Sequence, residues 1–467
     1  MRQTHFALTM LTAAVLSACG GSDGTSPEEQ KFKTQFSAMV SFGDSLADVG
    51  TYAVGGIKAA GGGKFTINGD NTATNATLTG KNWTELMAKQ FGLPAPCAAQ
   101  TGLDGNAAAG FSAAVVDHPA CLSYAQGGAR VSNPIGPEHK LTGSALGFLT
   151  VPVIEQVTRH LTKTGGKFSG TEVVFVTAGG NDALALLGQL QAGATAAGQA
   201  AGAAEGARVG AESFVTTLVG LLAQTADNPA SAAQAIGTAV FIESQNPAHT
   251  TQSIINVAVG TAIAQSGASE LQSPLVVGSI VTKSQTTAEA AAAAAGLVAG
   301  QKAGAAYAAA QAPVAVTAMG VAGAELAGIV KSMIVAKGAN YVVVNNLPDL
   351  GGSPAGKAQD AATQVLINTM VTTFNTQLKA ALTAETKVLY VDLFATSHDQ
   401  IINPGPYGLT NTSTPACTVK SLICTSKTLT TGDVSHFMFA DDVLPTPYEN
   451  TLIAKYVAQQ MILKGWL

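Results

Sequence analysis

The sequence predicts an α/β protein, a three-layer α/β/α sandwich around a mainly parallel sheet, interrupted by a helical insertion rich in Ala and Gly. Three observations carry this expectation. Short apolar runs suited to strands recur before turn residues, at Ala38 to Phe42, Val173 to Thr177, Tyr341 to Asn345 and Val388 to Leu393. Runs of this kind, apolar at most positions, fit strands covered on both faces. The intervals between them are long enough for the helical crossovers that parallel strands need. Between Leu186 and Ile329, finally, the composition turns to Ala and Gly with few charges, including the tract Ala290 to Ala295.

Taken in order, the chain opens with Met1-Arg2, an apolar stretch from Phe6 to Leu16, and Leu16-Ser17-Ala18-Cys19. Residues 1–18 read as a signal peptide, since the apolar stretch is too short to span a bilayer. The cysteine after Leu-Ser-Ala resembles the acylated residue of bacterial lipoproteins, so Cys19 is the expected lipidation site; an ordinary cleaved signal is the alternative. Residues 19–35, with Gly20-Gly21-Ser22-Asp23-Gly24 near the start, form a tether too poor in apolar side chains to pack. A first α/β block spans 36–185, the insertion 186–329, and a second α/β block 330–467. Gly and Ala spaced three to four apart let helices approach closely, so the insertion is expected as a tight hairpin or small bundle. A membrane-spanning reading is the lesser one, because Ala and Gly drive insertion weakly and Lys302 and Glu325 lie near the most apolar part.

Composition narrows the function classes. The chain has 467 residues, 47% of them hydrophobic, enough for a large core. Its net charge of −5 is small for that length, and no basic cluster follows a phosphate backbone, so nucleic acid is not an expected partner. Of five cysteines, four remain beyond Cys19. In an exported protein, Cys97, Cys121, Cys417 and Cys424 are expected to form two disulfides. Three connectivities are open; Cys97 with Cys121 and Cys417 with Cys424 is favoured, because each pair brackets a stretch rich in Pro, Gly or polar residues. A metal site is the weaker reading, since neither pair has a histidine at ligand spacing.

The chemistry sits where the strands end. Ser41-Phe42-Gly43-Asp44-Ser45-Leu46-Ala47-Asp48 follows the first strand, which places Ser45 in a predicted strand-to-helix turn at the carboxyl edge of the sheet, near amides that can stabilise an oxyanion. Ser123-Tyr124-Ala125-Gln126-Gly127-Gly128-Ala129-Arg130 comes next, and Thr177-Ala178-Gly179-Gly180-Asn181-Asp182 follows another predicted strand. In this order the three segments resemble the conserved blocks of the GDSL (SGNH) hydrolases, whose flavodoxin-like fold matches the expected sandwich. The resemblance extends to Asn345-Asn346-Leu347-Pro348-Asp349 and to 403–411, and it does not cover the insertion. It implies Ser45 as nucleophile and an oxyanion hole from the Ser45 and Gly128 amides and the Asn181 side chain. Glycine suits the second position because the backbone must approach substrate closely.

The last block departs from the family pattern of Asp, two variable residues and His-Pro-Thr. Here Asp441-Asp442-Val443-Leu444-Pro445-Thr446 keeps the aspartate and puts Leu444 at the histidine position. The imidazole would take the serine proton and return it to the leaving group, and leucine does neither. Loss of that histidine alone costs about 10⁶ in turnover in a Ser-His-Asp enzyme, leaving on the order of 10³ to 10⁴ over water. His436, in Asp433-Val434-Ser435-His436, has the spacing without Pro-Thr and is the candidate replacement base, although it is expected at the far end of a short strand leading to Asp441. His398 reads as solvated.

The resemblance implies a carboxylic-ester hydrolase that acts through an acyl-enzyme on short-chain acyl esters, with small-molecule or lipid esters as substrates. No metal or organic cofactor is implied, and a monomer is expected. The lipid anchor at Cys19 would hold the protein at the bacterial outer membrane, facing the periplasm or the surface. The alternative is a catalytically impaired surface lipoprotein that keeps the pocket for binding.

Overall fold

A computed structural model describes residues 34–71 and 75–467. Cys19, the leader before it and most of the 19–35 tether lie outside the described residues. The first block contains β1 (Met39–Gly43), α1 (Gly55–Ala59), α2 (Trp83–Gln90), β2 (Gln100–Asp104), β3 (Ser112–Asp117), α3 (Val153–Lys163) and β4 (Val173–Thr177). The insertion holds α4 (Gly180–Ala223), α5 (Pro229–Ser244), α6 (Thr251–Ile263) and α7 (Pro274–Ile329). The second block adds β5 (Tyr341–Asn345), α8 (Pro354–Lys357), α9 (Ala361–Leu382), β6 (Val388–Val391), α10 (Leu393–Ile402) and α11 (Pro447–Leu463).

The main sheet runs β1-β4-β5-β6 with every pair parallel. These are the four runs expected from sequence, with small shifts at the ends: the first strand runs one residue further, to Gly43, and the last stops at Val391. They are predominantly apolar because helices cover both faces. Val40, Phe42, Val174, Val176, Val342 and Val344 meet α3, the end of α7 and α9 through Val157, Leu326 and Phe374. Met39, Val173, Phe175, Val343 and Val391 meet α2 and α11 through Trp83, Met87, Val457 and Met461. Register aligns Gly43, Thr177 and Asn345 in one row at the carboxyl edge.

Residues 122–126 extend this sheet beyond β1. Ser41 N donates to Leu122 O, Tyr124 N to Ser41 O and Gln126 N to Gly43 O, the pattern of a further parallel neighbour. The chain therefore visits β1, steps outward to 122–126, then reverses to β4 on the other side. That reversal makes the crevice between β1 and β4 the topological switch point, where open α/β sheets bind ligands. The antiparallel β2–β3 hairpin was not expected from sequence; it lies outside the main sheet and is exposed along most of β3.

The insertion is helical, and its first helix begins at Gly180 rather than near 186, so it carries Asn181 in its first turn. Helices α4 and α7, of 44 and 56 residues, reach about 66 and 84 Å at 1.5 Å per residue. They pack backbone to backbone: a Cβ added at Gly202 would lie 2.7 Å from Gly296 O, and one at Gly296 2.8 Å from Gly202 O. At the far end, Phe214, Leu218, Ile236, Val240, Ala258 and Leu271 form a separate small core. The stretch Pro274–Lys337 is long and apolar enough to cross a membrane, with mean hydropathy 1.6, and 44% of its most apolar window is packed inside the molecule.

Both expected disulfides form: Cys97 with Cys121, Cα atoms 5.1 Å apart, and Cys417 with Cys424, 6.0 Å apart. The first ties the approach to β2 to the 122–126 strand, and the second closes the loop that leads to Asp441.

Candidate active site

Ser45 follows β1 in a turn and is half-buried. No helix starts there, contrary to expectation; the chain turns repeatedly until α1 begins at Gly55. Two aspartates, rather than a helix, organise the local amides. Asp44 N donates to Thr177 O, which joins the turn to the end of β4, and the Asp44 carboxylate accepts from Leu46 N at 3.1 Å. Asp48 Oδ1 accepts from Gly50 N and Thr51 N, both at 2.8 Å, and its Oδ2 accepts from Gly127 N at 2.9 Å. The Asp48 carboxylate thereby holds the Ser45 turn against the Gly127-Gly128 turn.

Gly128 is buried with φ of +80°, a conformation that strains any residue with a side chain. A Cβ there would also lie 2.6 Å from Pro137 O. Asn181 joins this turn from the other side: its Nδ2 donates to Ala129 O at 2.9 Å. The next residue repeats the tie, since Asp182 accepts from Arg130 Nε at 2.9 Å and Val131 N at 3.0 Å. The segments carrying Ser45, Gly128 and Asn181 are thus bound together at the β1/β4 switch point. An amide nitrogen has two N–H groups, so Asn181 keeps one beyond its bond to Ala129.

Burial pushes the Asp44 carboxyl up to about 7. It pushes Asp48 up to about 6 against the pull of three backbone N–H groups, and raises Asp182 against the Arg130 guanidinium. The ground beneath Ser45 is therefore a cluster of carboxyls held by amides, short of charge for its composition.

Asp441 lies in the loop before α11, and its carboxylate is engaged by backbone. Its Oδ1 accepts from Val443 N at 3.1 Å and Leu444 N at 2.9 Å, and its Oδ2 from Ser421 N at 2.9 Å. Leu444 stands on the returning arm of a narrow turn with its tip at 441–443, closed by Ala440 N to Leu444 O and Thr446 N to Met438 O. The run 436–440 is not a regular strand; it makes single bridges, Asn411 to Phe437 and Phe439 to Pro445. His436 sits at the end of that run away from Asp441. Its Nδ1 is 2.9 Å from Ser435 Oγ, and its ring stands edge-on to Tyr448 with centroids 4.4 Å apart. The structure does not bring His436 to Asp441.

Among the described residues, the histidine paired with a carboxylate is His398, which is exposed as the sequence reading expected, although its carboxylate partner was not foreseen. Its Nδ1 is 2.7 Å from Asp349 Oδ2, and its ring stacks on Phe394. These residues follow β5 and β6, two and three strands from β1, hence about 10 to 14 Å across the sheet at the usual strand spacing. Sequence reading also missed the tying roles of Asp48 and Asp182. Their signal was an aspartate inside a Gly-rich turn, where a carboxylate collects local amides.

A small apolar cleft opens beside the Ser45 turn, between Leu46 and the Asp441 loop, and α11 contributes Glu449 to it. A larger cleft of about 750 Å³ lies at the outer side of the 122–126 strand, against α3, with Gln126, Gln156 and Arg159 in its wall. Compared with protein-family models and with curated proteins, the chain matches none.

Proposed function

We propose that this protein is a carboxylic-ester hydrolase of the GDSL (SGNH) type, with Ser45 as nucleophile and short-chain acyl esters as substrates. The observation that carries the reading is the joining of three loops at the β1/β4 switch point, through Asp48 to Gly127, Asn181 to Ala129 and Asp182 to Arg130. In this reading Ser45 Oγ attacks the ester carbonyl. The Ser45 and Gly128 amides and the free N–H of Asn181 bind the oxyanion, which is the larger part of what such a site supplies. The alcohol leaves, and water hydrolyses the acyl-Ser45 ester. With leucine at position 444, no imidazole on Asp441 takes the proton, so turnover is slow and falls to water or hydroxide. A fluorophosphonate probe, which needs a nucleophile and an oxyanion hole, should label Ser45 and leave Ser45→Ala unlabelled. Equal labelling of the two proteins would remove Ser45 from the reaction.

A second reading, a surface lipoprotein that uses the same pocket only for binding, is favoured by Asp441. Its carboxylate accepts from three backbone amides, so it serves the loop without a histidine to orient. The two readings part on whether Ser45 forms any covalent adduct.

A further inference from the structure

The cleft beside Leu46 is lined mainly by apolar side chains, among them Leu46, Met438, Phe439 and Val443, with the polar groups of Thr396, Ser397, Gln400 and Tyr456 also in its wall. Into this wall α11 sets Glu449, a carboxylic acid with 3% of its surface exposed. Its backbone amide donates to the N-cap side chain, Thr446 Oγ1, but its side-chain Oε2 has no hydrogen-bond partner. A buried oxygen left unpaired is destabilising, since it has given up its water without gaining a partner. Such a group in the wall of a cavity is a feature that a ligand can satisfy. Gln400, also buried, faces the carboxyl and opposes only part of the effect of burial, which pushes it up to about 8.

We propose that this cleft binds a short acyl chain bearing a hydroxyl group, with the hydroxyl paired to the Glu449 carboxyl. This rests on the esterase reading for the acyl group's origin, since Leu46 is the residue after Ser45, but the binding claim can be tested without turnover. Size sets the chain length: the cavity volume is about 50 Å³, and a water molecule takes about 30 Å³ of liquid. Only a short chain of roughly four heavy atoms beyond the carbonyl suits it, as in a 3-hydroxybutyryl group. Chemistry sets the substituent. A plain hydrocarbon chain fits the wall but leaves Oε2 unpaired. An ammonium group meets a carboxyl held neutral through pH 7 by burial, in a wall with no other charge to balance it. A hydroxyl pairs with the carboxyl in either protonation state, as donor or as acceptor.

The test uses full-length protein carrying Ser45→Ala, so that no ester is consumed, titrated calorimetrically with methyl 3-hydroxybutyrate, methyl butyrate and methyl 3-aminobutyrate. The hydroxy ester should bind about tenfold more tightly than the butyrate, consistent with one hydrogen bond of about 1.4 kcal/mol. That preference should vanish in Glu449→Leu and survive in Glu449→Gln, which keeps a hydrogen-bonding group and the side-chain shape if the leucine variant fails to fold. Equal affinities for the hydroxy ester and the butyrate, a preference that persists in Glu449→Leu, or tighter binding of the amino ester would each overturn the proposal. Parallel rate measurements on protein with Ser45 intact separate it from the esterase reading. Hydroxyl-selective binding without hydrolysis keeps the cleft and sinks the esterase, whereas hydrolysis indifferent to the hydroxyl does the reverse.

Discussion

Leu444 is one side chain, yet it decides how far the other groups at this site can act. The Asp441 carboxylate beside it accepts three backbone N–H groups, from Ser421, Val443 and Leu444. An ionised carboxylate has about four lone-pair sites, so one remains for an imidazole N–H. In the esterase reading, Leu444→His should therefore raise turnover of p-nitrophenyl butyrate by several powers of ten, because that reading already assigns the oxyanion donors and proton transfer is the step supplied. Steady-state rates of the native and variant proteins check this. An inert but folded variant would mean that Asp441 cannot leave its loop duty. His436→Ala is the control: with its ring on Ser435 and Tyr448, its removal should leave any hydrolysis unchanged. Neither the bond from His436 to Ser435 nor that from His398 to Asp349 could be read from spacing. His436 lies eight residues before Leu444, and the path of the turn between 436 and 446 decides what its ring meets; His398 meets Asp349 because β5 and β6 are neighbours in the sheet.

At the level of elements, strands buried on both faces were legible because nearly every residue in them is apolar. Val173–Thr177 and Tyr341–Asn345 fall where the apolar runs lie. The 122–126 strand was not legible as a strand, because it sits at the sheet edge and its residues Ser123 and Gln126 are polar, with Ser123 bonded to Ser41. The β2–β3 hairpin was missed for a related reason, since Gly102 and the exposed small residues of β3 give no apolar alternation. Gly-Ala spacing did announce close helix packing in the insertion, while the apolar tally gave no hint that α4 would start at Asn181's own turn. Close packing also makes a prediction. Gly202→Leu places a side chain against the Gly296 carbonyl and should destabilise the α4–α7 pair by about 1 to 3 kcal/mol, as overpacking does. Hydrogen exchange should show faster opening along 190–210 and 290–305, with the Ser45 turn unchanged. Unaltered exchange in the hairpin would mean that the two helices do not meet through these glycines.

For the whole molecule, the buried carboxyls tie stability to pH. Glu449 is the clearest case: burial lifts it to about 8 with little to oppose it, and Asp44 follows at about 7. A raised carboxyl keeps its proton in the folded state at a pH where the unfolded chain, with carboxyls near 4, has released it. Its contribution is fully present below pH 4 and is lost as pH rises through 7 and 8, which is the sign for a folded pKa above the unfolded one. The melting temperature should thus be higher at pH 5 than at pH 8.5, and Glu449→Gln should flatten that fall. A melting temperature that rises over the same interval would show these groups to be ionised and paired. What the chain does as a whole rests on Ser45. The most direct measurement is the rate of p-nitrophenyl acetate hydrolysis by the purified native protein and by Ser45→Ala under identical conditions. The native protein should exceed the buffer rate by on the order of 10³, the residual catalysis that an oxyanion hole supplies without its base, and Ser45→Ala should fall to the buffer rate. Equal rates in the two proteins would contradict the esterase reading.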